Sequence, residues 1–101
     1  MLKLGLSDLD GDDIPEILLS AAAGINGEFT TLVAFDSNGN EMTRQDDCVA
    51  DVARGLIDEG IACPITGTRI EVVSSGRTKD LLVTGDAGRT RRLVLRNGRF
   101  Q

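Results

Sequence analysis

Five acidic residues within nine positions near the start of the chain constrain its fold more than any other feature. They are Asp8, Asp10, Asp12, Asp13 and Glu16. Carboxylates packed this closely repel one another, so a short loop that contains them loses stability unless a hard cation with oxygen ligands offsets the repulsion. Four of these acids occupy loop positions 1, 3, 5 and 9, with Gly11 at position 4. This spacing predicts a calcium loop.

The composition is that of an ordinary globular protein. A chain of 101 residues that is 41% hydrophobic and 27% charged fits a single domain, residues 1–101. We expect no membrane span, because no apolar run approaches the roughly 18 residues that a span needs. The net charge of −5 resides in the acidic loop, since the other 11 of the 16 acids equal the 11 lysines and arginines in number. This overall acidity argues against a nucleic-acid partner.

The residue types that are missing or rare limit the possible chemistry. The chain has no histidine, which removes the Ser-His and Cys-His nucleophile systems and the usual zinc ligands. Its two cysteines, Cys48 and Cys63, lie 15 positions apart. They either form a disulfide in an oxidising compartment or remain two buried thiols. Closing such a loop is worth about 3 kcal/mol.

Short alternating patterns separated by turns predict strands along most of the chain. Residues 2–6 read as a half-buried strand that runs into the acidic loop, and Pro15 prevents a helix before the next short strand at 17–19. Residues 63–67 read as a loop. The predicted class is α+β, with antiparallel meanders and one helix.

The two halves of the chain correspond to each other. Residues 4–42 and 70–100 each read as a three-stranded meander, which indicates an internal repeat, with chance similarity as the alternative. The second half retains one acid, Asp80, where the first has Glu16. One copy is therefore competent to bind a metal, and two copies do not make a closed propeller, which takes at least about four blades.

A single helix, about residues 46–59, joins the halves. Its apolar positions share one face and include Val49, Val52, Leu56 and Ile57. An Asp near its start can cap it, and Gly60 can end it in a left-handed conformation. We expect the apolar face to pack on the sheet.

The run from Asp8 to Leu18, which enters a strand, resembles the calcium loop of FG-GAP/VCBS-type repeats, the blades of integrin-like β-propellers. The resemblance covers residues 4–42 well and 70–100 weakly. It implies Ca²⁺ as the cofactor, and it implies a ligand set of four side chains and one backbone carbonyl, those of Asp8, Asp10, Asp12 and Glu16 and the carbonyl of Ile14. The family usually has Gly at position 6, often with positive φ. This chain has Asp13 there, and Asp tolerates positive φ better than most residues.

Three other interpretations of the loop remain open. An EF-hand needs a bidentate Glu at position 12 and flanking helices, whereas this chain has Leu19 and predicted strands. A haloacid-dehalogenase-type phosphohydrolase would use Asp8 and Asp10 with magnesium, but Asp12 stands where that family has Thr or Ser, and a chain with one helix cannot build its parallel sheet. The third alternative is an acidic surface turn that binds no metal.

The favoured function is a non-enzymatic structural or interaction module in which Ca²⁺ clamps residues 8–16. Without a position-12 ligand we expect modest affinity, in the order of 10⁻⁴ to 10⁻³ M. Such affinity suits an extracytoplasmic location if a leader has been removed, and the location is otherwise cytoplasmic. Unpaired edge strands favour a homodimer.

An arginine-rich stretch near the C-terminus supports an alternative function, a metal-free interaction domain. The candidate partner patch comprises Arg89, Arg91, Arg92 and Arg96. The same residues are also typical of solvated strand edges and turns.

Overall fold

Antiparallel strands dominate the computed structural model, which describes residues 2–58, 62–85 and 87–101. Its elements in chain order are β1 (Leu2–Ser7), β2 (Glu16–Ala23), β3 (Phe29–Phe35), α1 (Asp46–Ala53), β4 (Ile65–Gly67), β5 (Arg69–Ser75), β6 (Thr78–Thr84), β7 (Thr90–Leu93), β8 (Leu95–Arg96) and β9 (Arg99–Phe100). They form a four-stranded sheet in the order β1-β2-β3-β4, a three-stranded sheet β5-β6-β7 and a β8-β9 hairpin. The predicted fold class, two antiparallel meanders with one helix, is confirmed.

The first sheet positions the acidic loop. Strands β1 and β2 pair from Leu2 opposite Ala21 to Ser7 opposite Glu16, so residues 8–15 connect two hydrogen-bonded strand ends. Strand β4, which pairs with β3, lies where a loop was predicted at 63–67. It is three residues long, too short for a periodic pattern, and it forms because β3 offers it a second edge.

The core lies where the two larger sheets meet. Leu32 and Ala34 of β3 and Ile65 of β4 belong to the same buried cluster as Leu81 and Val83 of β6. The remaining buried members of this cluster are Leu9, Met42, Leu93 and Phe100. Residues from both halves of the predicted repeat therefore share one core.

The outer face of the first sheet is apolar as well. Leu4 and Leu6 of β1 share a face with their partners Leu19 and Ile17 of β2, and they are 71% and 67% exposed. The alternation of leucines in β1 correctly predicts a strand. The expectation that its apolar side is buried is wrong for these two residues, because that side faces away from the core.

The helix is shorter and more exposed than predicted. It spans Asp46–Ala53 instead of 46–59, and none of its eight residues is fully buried. Gln45, not an Asp, occupies the N-cap position and makes no side-chain capping bond, while Asp47 in the first turn accepts from the Cys48 N–H (2.9 Å). Val49 is 42% exposed and Leu56 is 71% exposed. The expected apolar face is therefore only partly covered.

Gly55 explains the early end of the helix. Its φ is 76°, its N–H donates to the Val52 carbonyl (3.0 Å), and the Leu56 N–H donates to the Asp51 carbonyl (2.9 Å). These two bonds form a Schellman motif, which terminates a helix at a left-handed glycine. The terminator expected at Gly60 lies outside the described residues.

A disulfide attaches the helix to the rest of the protein. Cys48 of α1 is bonded to Cys63, and their Cα atoms are 6.4 Å apart. Cys63 also donates its N–H to Glu41 (2.6 Å). The covalent link fixes α1 beside the segment that leads into β4.

Candidate metal centre

Backbone amides shape the acidic loop by donating to its own carboxylates. Asp8 accepts from the N–H of Gly11 through Oδ1 and from the N–H of Asp13 through Oδ2, both at 3.0 Å. Asp10 accepts from Asp12 (3.2 Å), and Asp12 accepts from Ile14 (2.9 Å), each two residues on. Such Asx turns curl a chain locally, and here they turn the aspartates towards one another.

Two positive φ values make this curl possible. Gly11 has φ 79°, and Asp13 has φ 65°. Asp13 thus adopts the left-handed conformation that the loop position predicts. Asp is one of the few residues that enter this region at modest cost.

Glu16, the first residue of β2, is the buried member of the site. Its side chain is turned into the loop, where Oε1 accepts from the N–H groups of Leu9 (2.7 Å) and Asp10 (3.1 Å). The residue is 1% exposed, and its Oε2 has no hydrogen-bond partner within the described part of the chain. A buried carboxylate oxygen without a partner is costly, and a cation would remove that cost.

The four carboxylates converge. One oxygen from each of Asp8, Asp10, Asp12 and Glu16 lies within 4.8 Å of the others. Glu16 is buried, Asp8 and Asp10 are half-buried, and Asp12 is exposed. The cluster is therefore buried at Glu16 and open to solvent at Asp12, and this all-oxygen donor set could hold a hard metal ion.

The cluster separates the pKa values of two aspartates. Burial raises the pKa of Asp10 to about 6, and its contact with Asp12 and the negative charge of Glu16 act in the same direction. For Asp8, burial opposes ionisation, but the hydrogen bonds from Asp13 and Gly11 outweigh it and hold the pKa below its usual value. The loop therefore favours the ionised form of Asp8 and disfavours the ionised form of Asp10, for which burial is the main cause.

Ile14 lies in the loop between Asp12 and Glu16, with its side chain exposed. Its N–H donates to Asp12, and the role of its carbonyl stays a prediction. Strands β1 and β2, not helices, flank the loop, and Leu19 lies within β2. The helix–loop–helix setting of an EF-hand is therefore absent around this loop.

Asp80, the acid of the second half that corresponds to Glu16, has different surroundings. Asp80 is buried on β6 and its Oδ2 accepts from the Arg92 Nε at 2.6 Å. The hairpin between β5 and β6 is short, since Ser75 pairs with Thr78. Asp80 is thus neutralised by an arginine, whereas Glu16 belongs to a cluster of carboxylates.

The four predicted patch arginines are exposed but do not form one surface. Arg91 and Arg92 are consecutive in β7 and so point to opposite faces of the sheet. Arg92 is the ion-pair partner of Asp80, Arg96 belongs to the separate β8-β9 hairpin, and Arg89 lies in the turn before β7. The partner role of this stretch stays a prediction.

Two residues of the site escaped the sequence reasoning. Leu9 is completely buried although it stands between two aspartates, and its carbonyl accepts from the Lys79 N–H of β6 (2.9 Å). A lone leucine inside an acidic run is the available signal, since it implies that the loop is anchored to a core. Nothing in the sequence around Lys79 indicates its partner.

Comparison with protein-family models, with curated proteins and with solved structures gave no match. Within the described part of the chain, no helix has the length and apolarity that a membrane crossing requires.

Proposed function

We propose that this protein is a calcium-binding, non-enzymatic structural or interaction module in which Ca²⁺ clamps residues 8–16. The ligands are the side chains of Asp8, Asp10, Asp12 and Glu16 and the carbonyl of Ile14. The observation that carries the proposal is the buried Oε2 of Glu16, which has no hydrogen-bond partner among the described residues and belongs to a cluster of four carboxylates.

The donor set favours calcium over other metals. Carboxylate and carbonyl oxygens select hard cations, and the chain has no histidine for a transition metal. Calcium accepts six to eight oxygens in flexible geometry, whereas magnesium retains several of its waters and is held by one or two carboxylates. Four carboxylates from a single loop match calcium better.

The position of the loop supports a structural role. A cation that binds Asp8, just after β1, and Glu16, at the start of β2, crosslinks the ends of two paired strands. Loop spacing and the strand–loop–strand setting support kinship with FG-GAP/VCBS-type repeats.

The geometry of Asp8 argues against the magnesium-dependent phosphohydrolase. Both of its oxygens accept backbone N–H bonds, which lower the nucleophilicity of the carboxylate and hold it in place. The metal-free interaction domain draws less support, because it leaves the Oε2 of Glu16 without a role.

The expected affinity and the disulfide fit the same environment. A dissociation constant of about 10⁻⁴ to 10⁻³ M suits millimolar calcium, and a disulfide such as Cys48–Cys63 persists in oxidising compartments. An extracytoplasmic location therefore remains the favoured one.

Thermal unfolding in calcium, magnesium and chelator tests the proposal. At 5 mM calcium the linkage relation gives about 1 to 2.3 kcal/mol of stabilisation for the affinity range above, which corresponds to a rise in Tm of at least about 4 °C. Magnesium should give a smaller rise.

Asp13→Asn is the matched control for this experiment. It removes one charge from the same loop, retains a side chain that tolerates positive φ, and leaves the proposed ligands intact. The variant should keep the calcium response. An unchanged Tm of the wild type at 5 mM calcium would overturn the proposal.

A further inference from the structure

The acidic loop is also a contact between the two larger sheets. The Lys79 N–H of β6 donates to the Leu9 carbonyl at 2.9 Å, and the Lys79 ammonium donates to the Ser7 hydroxyl at 2.8 Å. A residue near the start of β6, the middle strand of the second sheet, thus bonds to the residues on both sides of Asp8, a proposed calcium ligand.

Gly11 allows the backbone of the acidic loop to lie close to the turn between β5 and β6. A Cβ at this position would lie 2.6 Å from the Arg77 carbonyl oxygen, in the turn between β5 and β6. Real Cβ atoms do not approach a carbonyl so closely, so the loop and the turn meet at a distance that glycine alone allows. Gly11 is also the residue whose N–H fixes Asp8 Oδ1.

Leu9 links the metal site to this contact through three of its groups. Its N–H donates to the Glu16 Oε1 at 2.7 Å, its carbonyl accepts from Lys79, and its side chain belongs to the core cluster that includes Leu81 of β6. A movement of Leu9 therefore disturbs a metal ligand and the second sheet together.

From these contacts we infer that the acidic loop is a calcium-dependent latch between the sheets. A cation bound to Asp8 and Glu16 fixes the peptide units of Leu9 and Gly11, and these units hold the β5-β6 hairpin. Opening of the contact between Lys79 and Leu9 then requires release of the ion. The inference rests on the proposed function, and it adds that calcium controls how firmly the second sheet is held.

Amide hydrogen exchange in the intact protein, followed by NMR with calcium alone as the ligand, tests the latch. If opening releases the ion, free calcium at 100 times Kd slows exchange of the Lys79 amide by about 100-fold. The internal reference is the Gly85 amide, which donates to the Arg89 carbonyl (2.8 Å) in the turn after β6. We expect its exchange to change little.

Each outcome has a defined meaning. Slower exchange of the loop amides with an unchanged Lys79 amide overturns the latch and leaves calcium binding intact. Equal slowing of Lys79 and Gly85 also overturns it, because calcium then raises global stability only. If calcium changes the exchange rate of no amide, including those of the loop, both proposals are wrong.

Two variants complete the experiment. Asp10→Asn removes a proposed ligand and should abolish the slowing at Lys79, whereas Asp13→Asn should preserve it. Slowing at Lys79 that persists in Asp10→Asn would mean that calcium acts elsewhere, and it would overturn the inference.

Discussion

Replacing Asp10 by Asn should change stability in opposite directions with and without calcium. The Asn side chain keeps an oxygen for the Asp12 N–H bond (3.2 Å) and removes one negative charge from the cluster. Stability without metal therefore reports the repulsion among the carboxylates, and the gain in stability with calcium reports the metal affinity.

The magnitude without metal follows from the geometry. At the 4.8 Å limit that separates the four carboxylates, each pair repels by about 0.9 kcal/mol at the dielectric constant of water. Asp10 faces three such partners, and screening by salt reduces the total, so metal-free Asp10→Asn should be more stable by about 1 to 2 kcal/mol at pH 7.5. The raised pKa of Asp10, about 6, points in the same direction.

Calcium should make the wild type more stable than Asp10→Asn, the reverse of their order without metal. At free calcium of 100 times Kd the wild type gains about 2.7 kcal/mol, while the variant, which lacks a charged ligand, gains much less. Urea unfolding followed by circular dichroism, in chelator and in calcium, measures both differences.

Two results would refute this reasoning. A metal-free variant less stable than the wild type would show that Asp10 is not under repulsive strain. A variant that gains as much from calcium as the wild type would remove Asp10 from the ligand set. Asp13→Asn again serves as the control, since it should keep the full calcium gain.

Three further predictions concern the loop and the disulfide. In chelator, the stability of the wild type should fall as pH rises from about 4 to about 6, because the folded state holds the Asp10 proton up to a pKa of about 6 instead of 3.8. Calcium titrations should show the calcium affinity rising over the same pH range. A metal-free stability that does not change with pH in this range would contradict the prediction. Gly11→Ala should destabilise the protein by roughly 2 kcal/mol or more, because alanine is strained at φ 79° and its Cβ would meet the Arg77 carbonyl; an unaltered urea midpoint would show that the loop does not press on the turn. The double substitution of Cys48 and Cys63 by Ala should cost about 3 kcal/mol, from the loss of a crosslink with a separation of 15 residues, and a variant with the Tm of the wild type would contradict this.

The sequence predicted what depends on local chemistry. The strand before the acidic loop follows from alternating apolar residues, and the strand after it follows from a short apolar run. The positive φ of Asp13 agrees with what the resemblance to FG-GAP/VCBS-type loops implies for that position. The convergence of the three aspartates follows from their spacing of two residues, which the Asx turns at Asp10 and Asp12 then realise. These features involve neighbours within about nine positions.

Features that depend on distant partners could not be predicted. The Lys79 N–H of β6 donates to the Leu9 carbonyl from a distant part of the chain. Arg92 neutralises Asp80 across neighbouring strands, because Arg92 pairs with Leu82, two residues beyond Asp80. The outward direction of the leucines in β1 likewise depends on which face of the sheet receives the second sheet.

The end of the helix could be predicted only approximately from the sequence. The apolar pattern continues past Ala53, and it therefore predicts that the helix ends at Gly60. Gly55 forms the terminating bonds, and a periodic pattern does not indicate at which glycine a helix ends.

Isothermal titration calorimetry with calcium tests the central claim most directly. We expect one ion per chain, a Kd in the order of 10⁻⁴ to 10⁻³ M, and loss of binding in Glu16→Gln, whose amide nitrogen would replace a carboxylate oxygen of the cluster. No heat of binding at 10 mM calcium, or equal binding by Glu16→Gln, would contradict it.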